Sequence, residues 1–100
     1  MKTTIEERDG NFVAVFEGRL DTLAASEIEK ELQKLNDCEG RDIMLDCAAM
    51  DYISSSGLRL FLSILKNAKS KGSHVYITGC NDNLRQIFTM TGFIKLFEFK

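Results

Sequence analysis

The feature that most constrains the fold is an alternation between segments of strand character and segments with helical apolar periodicity. The strand segments are Thr3 to Glu7, Phe12 to Phe16, Ile43 to Leu45, His74 to Thr78 and Leu96 to Phe99. Amphipathic helices separate the last four of them, which favours parallel pairing through right-handed crossovers. The sequence therefore predicts the order β-β-α-β-α-β-α-β. This is an α/β fold with one mixed, mostly parallel sheet of about five strands, covered by helices.

The segments between and within these strands carry further signals. Asp9-Gly10-Asn11 between the first two strands is a strong signal for a β-hairpin. Gly18-Arg19-Leu20-Asp21 is predicted to be a short connector into the first helix. The third strand segment is continuously apolar and ends at Asp46, as expected for a strand that is buried on both faces.

The helices are predicted from apolar residues three and four positions apart. The apolar residues of the first helix are Ala25, Ile28, Leu32 and Leu35. Those of the second are Leu58, Phe61, Leu62, Leu65 and Ala68, with Leu60 and Ile64 flanking the apolar stripe. Those of the third are Leu84, Ile87 and Phe88, and Gly92 is expected to end that helix.

The bulk properties indicate one ordinary globular domain that spans residues 1–100. A chain of 100 residues is too short for two independent cores, and 44% hydrophobic with 28% charged residues is not a disordered composition. A net charge of −2 argues against direct nucleic-acid binding, which needs a basic face. The densest apolar run, Leu58 to Leu65, is too short to insert across a bilayer. No signal peptide is recognisable at the N-terminus, so the cytoplasm is the expected compartment.

The cysteines indicate reduced thiols. Cys38, Cys47 and Cys80 are an odd number and have no Cys-x-x-Cys spacing, so neither a disulfide framework nor a zinc site is predicted. Cys47 ends a buried strand and is expected to be an inert core thiol. No metal and no other cofactor is predicted.

The stretch from Asp51 to Leu62 is the most informative about function. Three consecutive hydroxyl side chains are followed by Gly57, and an amphipathic helix begins at once. The free N–H groups at a helix start favour a negative group, so a serine there can be exposed and its phosphate can be accommodated. Phosphorylation would change the surface by a charge of about −2. The pattern is more typical of a switch than of a catalyst.

Asp21 and the serine run each follow a predicted strand. In sheets of this kind, sites lie beyond the carboxyl ends of the strands, so we expect both at one edge of the sheet. Asp21 is also well placed to be the N-cap of a helix that begins near Thr22, and the two roles are compatible.

The sequence does not favour an enzyme. The chain has one histidine and no Gly-x-Ser-x-Gly elbow, so a serine hydrolase is not expected. Ser55-Ser56-Gly57 lacks the lysine and the spacing of a nucleotide-binding loop. Weak, nonspecific nucleotide binding at a helix start stays open.

Three motifs in this order of elements resemble the STAS domain. They are Gly18-x-Leu20-Asp21 before the first helix, Asp51-x-Ile53-Ser54-Ser55-Ser56-Gly57-Leu58 before the second, and Thr91-Gly92-Phe93 after the third. The resemblance covers essentially the whole chain. Within the family, the chain is most similar to the stand-alone bacterial anti-sigma factor antagonists.

The resemblance implies regulation by partner switching. An unmodified antagonist binds an anti-sigma factor that is also a GHKL-type serine kinase, and this frees a sigma factor. The kinase phosphorylates a serine just before the second helix, and a phosphatase removes the phosphate. A protein of this kind is not an enzyme and is expected to be a monomer when free.

The family motif assigns roles to individual residues. Matching backward from Gly57 places the phosphorylated serine at Ser55, with Ser56 as the weaker candidate. One serine suffices for a helix cap, so three favour one cap plus one exposed phosphate acceptor. Ser54 stands where the family usually has an acidic residue, and Asp21 matches an aspartate used in partner contact. The predicted partner-binding residues are Asp21, Ser54, Ser55, Ser56, Gly57, Leu58, Arg59 and Leu60.

A binding module without a phosphorylation cycle is the alternative. Some STAS-like proteins are small subunits of ABC-type transporter ATPases, and others belong to stress-signalling scaffolds. The missing acidic residue at Ser54 favours this alternative. The apolar residues Leu60 and Ile64 would serve docking in either case.

Overall fold

The computed structural model describes residues 1–100 and contains five strands and three α-helices. The strands are β1 (Lys2–Arg8), β2 (Asn11–Leu20), β3 (Ile43–Ile53), β4 (Val75–Thr78) and β5 (Glu98–Phe99). The helices are α1 (Thr22–Leu32), α2 (Ser55–Ser70) and α3 (Asp82–Thr91), with short 3-10 turns at Gln33–Asn36 and Phe93–Lys95. The sheet order is β1-β2-β3-β4-β5, antiparallel between β1 and β2 and parallel elsewhere. The predicted element order and mixed, mostly parallel sheet are confirmed.

The hairpin between β1 and β2 has a two-residue turn. Asp9 and Gly10 both have positive φ angles, 52° and 81°. Two successive positive angles are typical of a type I′ turn, whose twist matches that of the flanking strands. The hairpin signal in the sequence is thus confirmed.

All five strands differ in length from the prediction, β1 and β4 by only one residue at an end and the other three by more. β2 continues to Leu20, so only Asp21 remains as the connector that was expected from residue 18 onward. β3 does not end at Asp46 but continues to Ile53, and β5 is shorter than expected and leaves Leu96 exposed. The extra length of β2 and β3 comes from their pairing with each other. Register shifts in that pairing break the regular apolar alternation that would have revealed it in the sequence.

The helices cover one face of the sheet. Along β3, the side chains of Ile43, Leu45 and Cys47 are buried, whereas Met44 and Asp46 are only partly buried. The prediction that this strand is buried on both faces is therefore wrong. Phe16 of β2 and Phe61 of α2 meet in the core with ring centroids 5.2 Å apart, and further aromatic contacts connect α3 to the same cluster. None of the helices has the length and apolar character needed to cross a bilayer.

The predicted helix faces are largely correct. All four apolar residues predicted for the first helix region are buried, with Leu35 in the 3-10 turn that follows α1. In α2, however, Ile64 is buried and Leu62 is only partly buried, the reverse of the expectation. The cause is that α1 and the 3-10 turn after it contact α2 on the side of Ile64, which lies near Leu32 and Asn36. Periodicity within α2 does not specify this contact. Ile64 is therefore not available for docking.

Candidate functional site

Two helix starts lie side by side at the carboxyl ends of β2 and β3. Leu20 and Ile53 are the last residues of these strands and are paired in the parallel register. The backbone N–H of Ser54 donates a hydrogen bond to the Leu20 carbonyl oxygen at 2.8 Å. Asp21 and the serine run therefore share one edge of the sheet, as predicted.

Each helix start is capped by its own side chain. Asp21 Oδ1 accepts a hydrogen bond from the Ala24 N–H at 2.8 Å, and Ser54 Oγ accepts one from the Gly57 N–H at 3.2 Å. Both capping residues have the extended backbone typical of an N-cap. The capping role of Asp21 is confirmed. Asp21 is exposed, and the cap uses only one of its two carboxylate oxygens.

The three serines have three different environments. Ser54 is 8% exposed and serves as the cap. Ser55 is the first residue of α2 and is exposed. Ser56 is half-buried and lines a groove between α1 and α2. The division into one capping and one exposed serine agrees with the sequence prediction, and Ser55 is the hydroxyl that another protein reaches most easily.

Gly57 brings the start of α2 into contact with the strand ends. A β-carbon built on it would lie 2.7 Å from Leu20 Cγ and 2.8 Å from Ile53 Cγ1, closer than side chains tolerate. Leu58, the next residue, is 3% exposed. Three of the predicted partner-binding residues are thus buried: Ser54, Gly57 and Leu58. They fix the position of α2 on the sheet and are not exposed for contact with a partner.

The groove between α1 and α2 leads away from the serines. Its first part has a volume of about 270 Å³ and is lined by Ser56, Arg59 and Leu60 from α2 and by Thr22, Ala25, Ser26 and Glu29 from α1. A second hollow of about 160 Å³ continues it and shares Glu29 and Leu60. Arg59 is exposed and Leu60 is half-buried. Both are accessible from the edge that carries Ser55.

One surface residue at this edge was not singled out from the sequence. Leu23 is 69% exposed, unusually high for a leucine, and it lines a hollow of about 330 Å³ together with Asp21, Arg19 and Met1. The sequence does indicate this exposure. In a helical projection of α1, Leu23 lies on the side opposite the buried stripe that includes Ile28.

The groups with shifted pKa values lie elsewhere, on β3, β4 and the loop after β4. Burial is the main cause that raises the pKa of the Cys47 thiol, and the nearby Cys80 adds to it. Burial also raises the pKa of the Cys80 thiol. Cys47 therefore stays protonated and unreactive at neutral pH, as predicted. No group of three or more His, Cys, Asp or Glu side chains is arranged to hold a metal ion.

Comparison with known proteins identifies the family to which this chain belongs. The family model for the STAS domain matches residues 2–100. This chain belongs to the STAS domain family. The resemblance noted in the sequence is thus confirmed.

The relatives of this STAS domain include proteins named as anti-sigma factor antagonists. One is BtrV of Bordetella bronchiseptica, whose name as an anti-sigma factor antagonist is provisional. It is 31% identical to this chain over 97 residues, which are 97% of this chain and 84% of BtrV. The anti-sigma-B factor antagonist of Listeria monocytogenes is 28% identical over 97 residues, 96% of this chain and 85% of its own.

Solved structures share the fold. An anti-sigma-factor antagonist (STAS) domain protein from Planctomyces limnophilus superposes with a TM-score of 0.87 at 12% identity, over 97% of this chain and 87% of that one. The phosphorylated form of the Bacillus cell fate determinant SpoIIAA has a TM-score of 0.73 at 17% identity, over 99% and 91% of the two chains.

Proposed function

We propose that this STAS domain is an anti-sigma factor antagonist that acts by partner switching. In its unmodified form it binds an anti-sigma factor that is also a GHKL-type serine kinase, and a sigma factor is released. The kinase phosphorylates Ser55 and so ends its own binding, and a phosphatase restores the unmodified form. The antagonist itself catalyses no step, and when free it is a cytoplasmic monomer.

The exposure of Ser55 beside Asp21 carries this proposal. A kinase acts only on a hydroxyl that it can reach, and Ser55 is the exposed one of the three serines, at the edge that also carries the exposed Asp21. The relatives named as anti-sigma factor antagonists support the general role. A phosphorylated form of SpoIIAA, which has the same fold, supports the phosphorylation step.

The site suits a switch that needs no refolding. The N–H groups of the first turn of α2 can donate hydrogen bonds to a phosphate on Ser55, and that turn has no acidic side chain to repel the phosphate. For the partner, the new charge of about −2 replaces a neutral hydroxyl. A like-charge contact costs several kcal/mol, and about 3 kcal/mol already weakens binding roughly a hundredfold.

Leu23 gives the same surface an apolar contact. Interfaces are usually held by a few apolar or aromatic anchors that a polar rim surrounds. Leu23 projects beside the exposed carboxylate of Asp21 and faces solvent in the free protein. We infer that a partner covers both residues when it docks near Ser55.

Mass spectrometry tests the phosphorylation step directly. The protein is incubated with ATP and a kinase fraction from the bacterium that produces it. Ser55→Ala and Ser56→Ala proteins are the matched controls. Phosphate is expected on Ser55 in the wild type and in Ser56→Ala, but not in Ser55→Ala. Absence of phosphate from both serines would reject the switch.

The alternative is a binding subunit without a phosphorylation cycle, of an ABC-type transporter ATPase or of a stress-signalling scaffold. The observation that favours it is Ser54, a neutral cap where the family usually has an acidic residue. Leu60 is accessible for such docking, whereas Ile64 is not. Co-purification separates the two functions: a GHKL-type kinase supports the switch, and an ABC-type ATPase or a multi-subunit scaffold supports the alternative.

A further inference from the structure

Arg59 differs from every other arginine in this protein. The others have acidic or aromatic partners: Arg8 pairs with Glu6, Arg41 with Glu7, Arg19 lies over Tyr52, and Arg85 lies over Phe99. Arg59 forms no salt bridge and lies over no ring. Its one hydrogen bond is a long one of 3.5 Å, from Nε to the carbonyl oxygen of Ser55. A permanent cation without an acidic or aromatic partner therefore lies beside the exposed serine.

The geometry turns this cation toward Ser55. Residues four positions apart lie on the same side of a helix, and helical side chains lean toward the N-terminus. The contact with the Ser55 carbonyl shows that Arg59 follows this rule, one turn back along α2. It uses only Nε, so the two terminal NH₂ groups have no acceptor. The Ser55 hydroxyl has no hydrogen-bond partner either.

We propose that Arg59 is the intramolecular partner of a phosphate on Ser55, held by charge-assisted hydrogen bonds from its guanidinium group. The inference rests on the proposed phosphorylation of Ser55 and adds a positioning residue to it. A neutral hydroxyl offers little to a guanidinium, whereas a phosphate offers three acceptor oxygens that match its planar fork. Phosphorylation then acts twice on the docking surface, because it adds a dianion and also occupies the exposed cation.

Little competes for Arg59. The first turn of α2 contains no acidic residue, and Ser54 is neutral where the family usually has an acid. Glu29 lines the same groove on the α1 side but does not form a salt bridge with Arg59. Asp21 caps α1 with one carboxylate oxygen. A phosphate on Ser55 would thus be the strongest acceptor within reach of the guanidinium.

Phosphorus NMR on a protein with phosphoserine installed at position 55 during synthesis tests the pairing. The second pKa of this phosphate is expected to be lower by about half a unit with Arg59 than in the Arg59→Gln protein, since a nearby cation favours the dianion. Arg59→Lys should restore part of the shift, because it keeps the charge and loses the fork. Lys69→Gln, at the far end of the same helix, is the matched control and should leave the titration unchanged.

Nitrogen-15 spectra give a second measurement. The Arg59 Nε–H resonance should move with the same midpoint pH as the phosphate in the phosphorylated protein. Identical phosphate titrations with and without Arg59, or an Arg59 resonance that does not follow the phosphate, would overturn the pairing. Since the phosphate is installed without a kinase, failure of a kinase to modify Ser55 would reject the proposed function and leave this test intact.

Discussion

Gly57 and Leu20 are in such close contact that a β-carbon on the glycine would lie 2.7 Å from Leu20 Cγ. Leu20 ends β2, and its carbonyl oxygen also accepts the hydrogen bond from the Ser54 N–H. The start of α2 is thus attached to the end of β2 by one backbone hydrogen bond and one close packing contact. This attachment places Ser55 next to Asp21.

We expect Gly57→Ala to destabilise the protein by about 1–3 kcal/mol, the usual cost of inserting an atom into a tightly packed position. Alanine is intrinsically better than glycine in helices by about 1 kcal/mol, so the sign of the change reports the clash. Urea denaturation measures it, with Ser63→Ala at an exposed position of α2 as the control. A Gly57→Ala protein as stable as wild type would show that the helix start can move away from Leu20.

Ser55→Asp is expected to weaken binding to the partner kinase at least tenfold, because a fixed negative charge replaces a neutral hydroxyl in the contact. Ser55→Ala should bind about as tightly as wild type and should resist phosphorylation. Isothermal titration calorimetry with the purified partner measures both. Unchanged circular dichroism would show that the fold is intact. Equal affinities for the Asp and Ala proteins would contradict a charge-based switch.

Leu23→Ala is expected to weaken partner binding by about 1–2 kcal/mol, roughly a tenfold loss, because an exposed anchor is truncated. Its stability should stay within about 0.5 kcal/mol of wild type, since the side chain is 69% exposed. Met90→Ala is the matched control, because Met90 is 78% exposed and lies on α3. If both variants bind like wild type, the docking surface does not include the start of α1.

The raised pKa of Cys47 predicts a loss of stability at alkaline pH. Below the ordinary thiol pKa of about 9.0, the thiol is protonated in both the folded and the unfolded chain, and it adds no pH dependence. Above it, the unfolded chain ionises and is stabilised, while burial keeps the folded Cys47 neutral. The free energy of unfolding should then fall as pH rises, by up to about 1.4 kcal/mol per pH unit for this group.

Urea denaturation of wild type and Cys47→Ala at pH 7 and pH 10 measures this effect. The difference between the two proteins at pH 7 gives the packing cost of the substitution, so the comparison at pH 10 isolates the ionisation. The decline between the two pH values should be smaller in Cys47→Ala. Equal declines would assign the alkaline loss to other groups.

Local signals account for the parts of the fold and site that could be predicted. The Asp9–Gly10 turn, the caps at Asp21 and Ser54 and the left-handed Gly92 at the end of α3 each depend on a few neighbouring residues. Such features are governed by backbone conformation and by hydrogen bonds within one turn, so a single short segment specifies them.

Features that depend on two distant segments were not predictable in this way. The extension of β3 to Ile53 follows from its pairing with β2, and the register shifts there leave no simple alternation in either segment. The exchange of Leu62 and Ile64 follows from the contact of α1 and the 3-10 turn after it with the Ile64 side of α2. In both cases the deciding free energy comes from contacts between residues far apart in the chain.

The amino-acid sequence by itself determined the order of strands and helices, the two helix caps and the serine run, because propensity, turn geometry and capping act over a few residues. Only the tertiary structure decided that Gly57 packs against Leu20 and that Leu23 of α1 and Arg59 of α2 lie at the same exposed edge as Ser55. These facts depend on how β2, β3, α1 and α2 pack together. Local sequence patterns are compatible with several such packings, and contacts between distant residues select one of them.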